Sequence, residues 1–226
     1  MNLHGFGHLL VEGTFVTLQL AFAGLSLGLV LGLLGALASL APLAPLRWAA
    51  NTWNTLLRGL PELLLVLLLF YGSSIVIERL TGVHVEVSAF AAGVIALGLA
   101  FGAYASEVFR SALLEIPRGQ REAGLALGMS RTQVFFSIEL PQLWRIALPG
   151  LGNLFLVLLK DTALVSVVGL DDLMRQAYVA VGYTKLPFTF YLAAAGIYLL
   201  LTIIAMQVIG QLERLANRGI PREVRT

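Results

Sequence analysis

The chain contains no cysteine, which excludes a disulfide framework and any thiolate metal site and leaves the redox compartment open. Charge is scarce as well. Charged residues make up 12% of the chain against 58% hydrophobic, too few to coat an ordinary soluble protein. A formal net charge of +2 gives nucleic acid no electrostatic footprint to bind. Histidine is rare, and His4 and His8 have only Glu12 nearby as a further ligand, so no metal site is expected. That first segment reads instead as an amphipathic stretch on a membrane surface, with Leu3, Phe6, Leu9 and Leu10 entering the interface. His84 is expected in a solvated external loop. What the sequence does have is long uncharged stretches, and the solvent for most of it is lipid.

A hydrocarbon core takes about 20 apolar residues to cross as a helix. No charge occurs between Glu12 and Arg47, and Pro42 and Pro45 mark the end of this first span. A second run, from Glu62 to Glu78, reaches spanning length if its helix begins near Gly59 with Pro61 in the first turn. The third runs from Val87 to Ser106. The fourth starts near Ile146 and reaches about Leu170, with Lys160 and Asp161 inside it. The fifth fills the interval between Lys185 and Glu213. Ala36-Leu37-Ala38 has the look of a signal-peptidase site, but no Lys or Arg precedes the run, which far exceeds the roughly 7–15 residues of a signal core. Cleavage is not expected.

Five spans put the two termini on opposite sides, and the Lys/Arg bias sets the orientation. Arg47, Arg58, Arg110, Arg118, Arg121, Arg131, Arg145, Arg214, Arg218, Arg222 and Arg225 fall on one side; Arg79, Arg175 and Lys185 fall on the other. The expectation is an external N-terminus, a cytoplasmic C-terminus and a cytoplasmic loop between the third and fourth spans.

That loop includes GQREAGLALGMSRTQVFFSIELPQ, residues 119–142. Gly119 to Met129 has good helix formers and no proline, which predicts a short helix. Gly124 and Gly128 are four apart, so on a continuous helix they share a face and leave a strip that another protein's backbone could approach. Each glycine costs about 1 kcal/mol relative to alanine inside a helix. Ser130 and Gln133 have capping-box spacing for a second helix, which Pro141 would end. On physics alone, a solvated helical hairpin explains the segment equally well.

Glu122-Ala123-Gly124, then Gly128 with three residues between, and Ile138, Leu140 and Pro141 after nine more resemble the EAA loop of ABC importer permeases. Arg58-Gly59-Leu60-Pro61, Phe70-Tyr71-Gly72 and YASEVFR at 104–110 resemble the polar amino-acid branch, especially its histidine and arginine permeases. Gly124 departs from the pattern, which usually has alanine there. The resemblance implies an all-α integral membrane protein, one transmembrane domain over residues 1–226, with about five transmembrane helices and a cytoplasmic coupling helix between the third and fourth. It implies that Glu122 docks on an ATP-binding subunit and that Gly128 makes the turn. It also implies the partners: a cytoplasmic ABC ATPase dimer carrying ATP and Mg, a second homologous permease or a second copy of this chain, an external substrate-binding protein, an amino-acid substrate, and the lipid of a bacterial inner membrane. The chain has no GxxxxGK[ST] phosphate loop, so hydrolysis is expected in the partner, with no cofactor in this chain.

Charges inside a span cost roughly 2.5–3.5 kcal/mol each on insertion scales. Lys160 and Asp161 therefore face protein or a watery path. In one reading they neutralise each other or neighbouring helices. In the other, Asp161 receives the cationic group of an amino acid while Thr162 and Ser166, four apart, donate hydrogen bonds. Glu107 is three residues before Arg110 and suited to pair with it, the alternative being a gate or substrate contact. Arg58 and Glu62 are spaced for an interfacial ion pair. An ion-gradient-driven transporter using Asp161, Lys160 and Glu107 is the rival function, against which the lack of an evident internal repeat counts. A membrane scaffold that only docks a soluble partner through the loop is a second.

Overall fold

The computed structural model describes residues 5–83 and 86–217, and within these every regular element is helical. His4, His84, Leu3 and the arginines at 218, 222 and 225 lie outside the described residues. Five helices are long and apolar enough to cross a membrane: Gly7–Ser39, Glu62–Thr81, Ala89–Glu115, Arg131–Val168 and Pro187–Ala216. Two shorter helices join them, a linking helix Ala44–Gly59 between the first and second spans and a crossing helix Leu173–Thr184 between the fourth and fifth. The loop helix Arg118–Ala126 precedes the fourth span.

The third span is the centre of the bundle, with Ala96, Leu97, Ala100, Phe101, Ala105 and Phe109 all buried. Its main partner is the first span, and small residues set how near the two backbones come. A methyl group added at Gly28 would sit 3.0 Å from the Gly98 carbonyl oxygen, and one at Gly32 would sit 2.7 Å from Cβ of Ala105. In return, Leu27 and Leu31 fill the space over Gly98 and Gly102. Lipid tails are as apolar as leucine, so spans associate through such close packing and not through the hydrophobic effect.

A second apolar cluster forms around the crossing helix, where Leu10, Leu173, Ala177, Phe190 and Ala194 meet. The helix is tied to the first span by the Leu173 N–H, which donates to Thr17 Oγ1 at 3.1 Å. Asp172 caps it by accepting from the Arg175 N–H at 3.0 Å, while its other oxygen is buried without a partner. Burial pushes the Asp172 carboxyl up to about 6, against the opposing pull of the backbone N–H groups at the helix start.

The third span runs past the expected Ser106 to Glu115, and two helix starts also differ from expectation. The fourth span is a single 38-residue helix from Arg131, so Pro141 does not end a preceding helix. A π-helical turn at Phe135–Glu139 lies just before it, with the Leu140 N–H reaching the Phe135 carbonyl. That wider turn resets the ladder where proline has no N–H to give. The second departure is at Leu60 and Pro61, whose extended backbone, ψ 137° and 136°, separates the linking helix from the second span. Pro61 therefore precedes the helix instead of occupying its first turn.

Two outcomes follow. Gly32→Leu forces a side chain into the first–third contact and should cost about 1–3 kcal/mol by overpacking, read as a lower melting temperature in detergent. For Asp172, the folded value lies above the unfolded one, so the folded state holds the extra proton between about pH 4 and 6 and stability falls as pH rises through that window. Asp172→Asn keeps the cap and removes the charge, so its melting temperature should be higher at pH 7 and flat across the window.

Candidate functional site

Two regions carry polar groups that the fold alone does not require. The first is the loop between the third and fourth spans. Helix Arg118–Ala126 ends at Gly128, whose φ of +83° suits glycine and turns the chain. The next helix starts with a complete capping box: Gln133 N–H donates to Ser130 Oγ at 3.2 Å, and Ser130 N–H donates to Gln133 Oε1 at 2.8 Å. Gly128 thus lies past the end of the helix, and the expected Gly124–Gly128 strip does not form.

Gly124 is buried inside the chain. A methyl group there would come within 2.9 Å of Ile138 and 3.0 Å of Val134. The glycine lets the loop helix lie against the start of the fourth span, a contact supported by Gln142 Nε2 donating to Gln120 and by Arg121 Nε at 4.0 Å from Glu139. Ile138 packs beneath Gly124 and Leu140 against the main core. These two residues hold the loop from within. The outward face carries Glu122, Ala123 and Leu127, all exposed, with Leu127 at 84%; Pro141 is exposed as well.

The second region lies between the spans. Glu62 at the start of the second span and Asp161 of the fourth line one cavity with Tyr104, Phe101 and Leu158. Its free volume is about 30 Å³, room for about one water. No basic side chain lines it among the described residues. Tyr104 also secures the chain break, since its hydroxyl donates to the Arg58 carbonyl at 3.4 Å, one of the carbonyls a helix end leaves unpaired.

The other candidates lie elsewhere. Lys160 projects to a different cavity, with Tyr191, Tyr198 and Met174, and among the described residues forms no ion pair with Asp161. Thr162 and Ser166 stand in a 3₁₀ segment, Thr162–Val168. At three residues per turn, positions four apart do not share a face. Their hydroxyls donate instead to the carbonyls of Leu159 and Ala163, each at 2.7 Å. Glu107 pairs with Arg110, whose Nε donates to it at 3.3 Å. Arg58 and Glu62 are not paired: the extended residues between them break the helical register their spacing assumed, and Arg58 Nε donates to the Asn54 carbonyl at 3.3 Å. His8 Nδ1 lies 2.9 Å from the Gly5 carbonyl oxygen.

Residues 24–218 match the family described as binding-protein-dependent transport system inner membrane component. The chain belongs to that family. The permease is 47% identical to an arginine ABC transporter permease of Haemophilus influenzae, covering 92% of this chain and 93% of that one. It is 44% identical to an octopine transport system permease of Rhizobium radiobacter, over 97% and 95%. A histidine/lysine/arginine/ornithine transport system permease of Escherichia coli K12 is 39% identical, over 97% and 98%. In three dimensions it matches the crystal structure of an amino acid ABC transporter with histidines, TM-score 0.78 at 33% identity over 91% and 93% of the two chains. An inward-facing methionine ABC transporter shares the fold, TM-score 0.78 at 21% identity. The chain is thus a multi-pass permease subunit of the amino-acid ABC importer class.

Sequence reading missed Glu62 as a partner of Asp161, because they are ninety-nine positions apart in the chain and only helix packing joins them; an acidic residue directly after a proline break was the available signal. Gly124→Leu should detach the loop helix, seen as faster hydrogen exchange at residues 118–126 with little change in the third span. Equal exchange in both proteins would show that the glycine contact does not hold the loop.

Proposed function

We propose that this permease imports basic amino acids, driven by ATP hydrolysis in a partner ATPase that carries ATP and Mg. The observation that supports this most is the meeting of Glu62 and Asp161 on one cavity within the spans, which no basic side chain lines among the described residues. Two carboxylates in a low-dielectric surrounding are stabilised by a cation between them. A guanidinium or ammonium side chain supplies it, and Tyr104 and Phe101 offer ring faces for the charge. The names of the arginine and histidine/lysine/arginine/ornithine permeases among the relatives agree with such a substrate. The cavity is too small for an amino acid as it stands, so on this reading the structure is an occluded state and transport opens it to each side in turn. Lys160, Thr162, Ser166 and Glu107 have no part in this site.

Loop 118–142 would transmit the ATPase motion. Glu122, Ala123 and Leu127 form its free surface, and Glu122 makes the polar docking contact. Gly124, Gly128, Ile138, Leu140 and Pro141 serve the same coupling by shaping the loop and joining it to the fourth span. The arginine bias puts this loop and the C-terminus in the cytoplasm of a bacterium and the N-terminus outside its inner membrane. A second permease, or a second copy of this chain, completes the pathway, and an external binding protein delivers the substrate.

In proteoliposomes containing the assembled transporter, Asp161→Asn and Glu62→Gln should each reduce arginine uptake about tenfold to a hundredfold, the value of a charge-assisted contact. Unchanged arginine uptake in both variants would remove the cation-site reading. Glu122→Ala should insert normally and keep its melting temperature while co-purifying less ATPase; full ATPase retention with full transport would refute the docking role.

A further inference from the structure

The linking helix Ala44–Gly59 carries features that the proposed substrate site and coupling loop leave unexplained. It is exposed along most of its length, with only Leu57 buried, and its two tryptophans, Trp48 and Trp53, are exposed. One side of it borders a polar cavity of about 590 Å³, lined by Arg47, Asn51, Asn54, Arg58, Glu107 and Arg110. Three guanidinium groups face one carboxylate there, and that carboxylate is taken by Arg110. Arg58 has only a carbonyl partner, Asn54, and Arg47 has the Ala41 carbonyl at 3.5 Å. Three cations share one carboxylate, which also feels Arg58, so the cavity carries an excess of positive charge.

An apolar groove of about 390 Å³ adjoins it, lined by Leu34, Ala38, Leu46, Trp53 and Leu57 among others. Asn54 lines both the groove and the cavity, so the two are continuous across one side chain. Asn54 is itself held in place by donating to Ser106 Oγ at 2.8 Å. A cationic chamber opening onto an apolar trough at a membrane surface has the polarity of one molecule: an anionic head on a hydrocarbon tail.

The geometry points to a binding site for an anionic phospholipid, its phosphate held by Arg47, Arg58 and Arg110 with Asn51 as a further donor, and one acyl chain lying in the groove against Trp53. Guanidinium groups match phosphate oxygens in pairs, and basic pockets between spans hold anionic lipid head groups. Only the choice of leaflet depends on the orientation proposed above. Bound there, the lipid joins the linking helix to the first and third spans beside the Leu60–Pro61 break.

The test uses the assembled transporter in nanodiscs of mixed phosphatidylcholine and phosphatidylglycerol, released into mild detergent and weighed by native mass spectrometry. Wild type should retain phosphatidylglycerol in preference to phosphatidylcholine. Arg47→Gln with Arg58→Gln should reduce that retention about fivefold per arginine, whereas Arg131→Gln, on the same side but off the cavity, should not. Trp53→Ala should lower retention of both lipids, and millimolar inorganic phosphate should displace neither.

Equal retention of the two lipids by wild type overturns the site without any variant. An equal loss in Arg131→Gln would reduce it to diffuse surface charge, and displacement by inorganic phosphate would make it a free-anion site. Protease access to a C-terminal tag reports the orientation separately, so an error in leaflet is not mistaken for the absence of a site.

Discussion

The contact between the first and third spans governs the arrangement of everything else. Gly28 and Gly32 on one helix and Gly98 and Gly102 on the other remove the side chains that would keep the two backbones apart. In lipid no hydrophobic force presses helices together, so this loss of bulk is what lets dispersion contacts act at short range. The third span is thereby fixed as a central post. The fourth span packs on it through Gly150 against Val108, and the linking helix through Asn54 and Ser106.

Around that post, the chain interrupts its helices where polar groups are needed. The Leu60–Pro61 break brings Glu62 to the first turn of the second span and leaves a carbonyl for Tyr104. The π-helical turn at Phe135–Glu139 lets Pro141 remain inside a continuous fourth span. Both interruptions lie at exposed stretches of chain, Leu60 and Pro61 in one and Phe136 in the other, where backbone groups can meet water or headgroups. The fourth span thus runs from the capped Ser130 past Asp161, with the loop helix packed at one end and the carboxylate cavity towards the other.

Charge is distributed along the same geometry. Lys160 and Asp161 are neighbours in sequence yet face different cavities, since adjacent helical residues point about 100° apart. Acidic groups gather between the spans, and guanidinium groups gather beside the linking helix. Arg58 and Glu62, four apart across the break, go to opposite members of this division.

The sequence by itself determined the number of spans, the asymmetry of positive charge and the capping box at Ser130, because each depends on local composition or on spacing within one helix. Hydrophobic length and cap chemistry are local properties of the chain. It also held the Glu107–Arg110 pair, three apart on an unbroken helix. Only the tertiary structure decided that Gly124 faces inward, that Thr162 and Ser166 bond to their own helix, and that Glu62 joins Asp161. Those facts turn on which way a helix is rotated and where its register changes, and both are set by packing against residues far away in the chain, which no local pattern encodes.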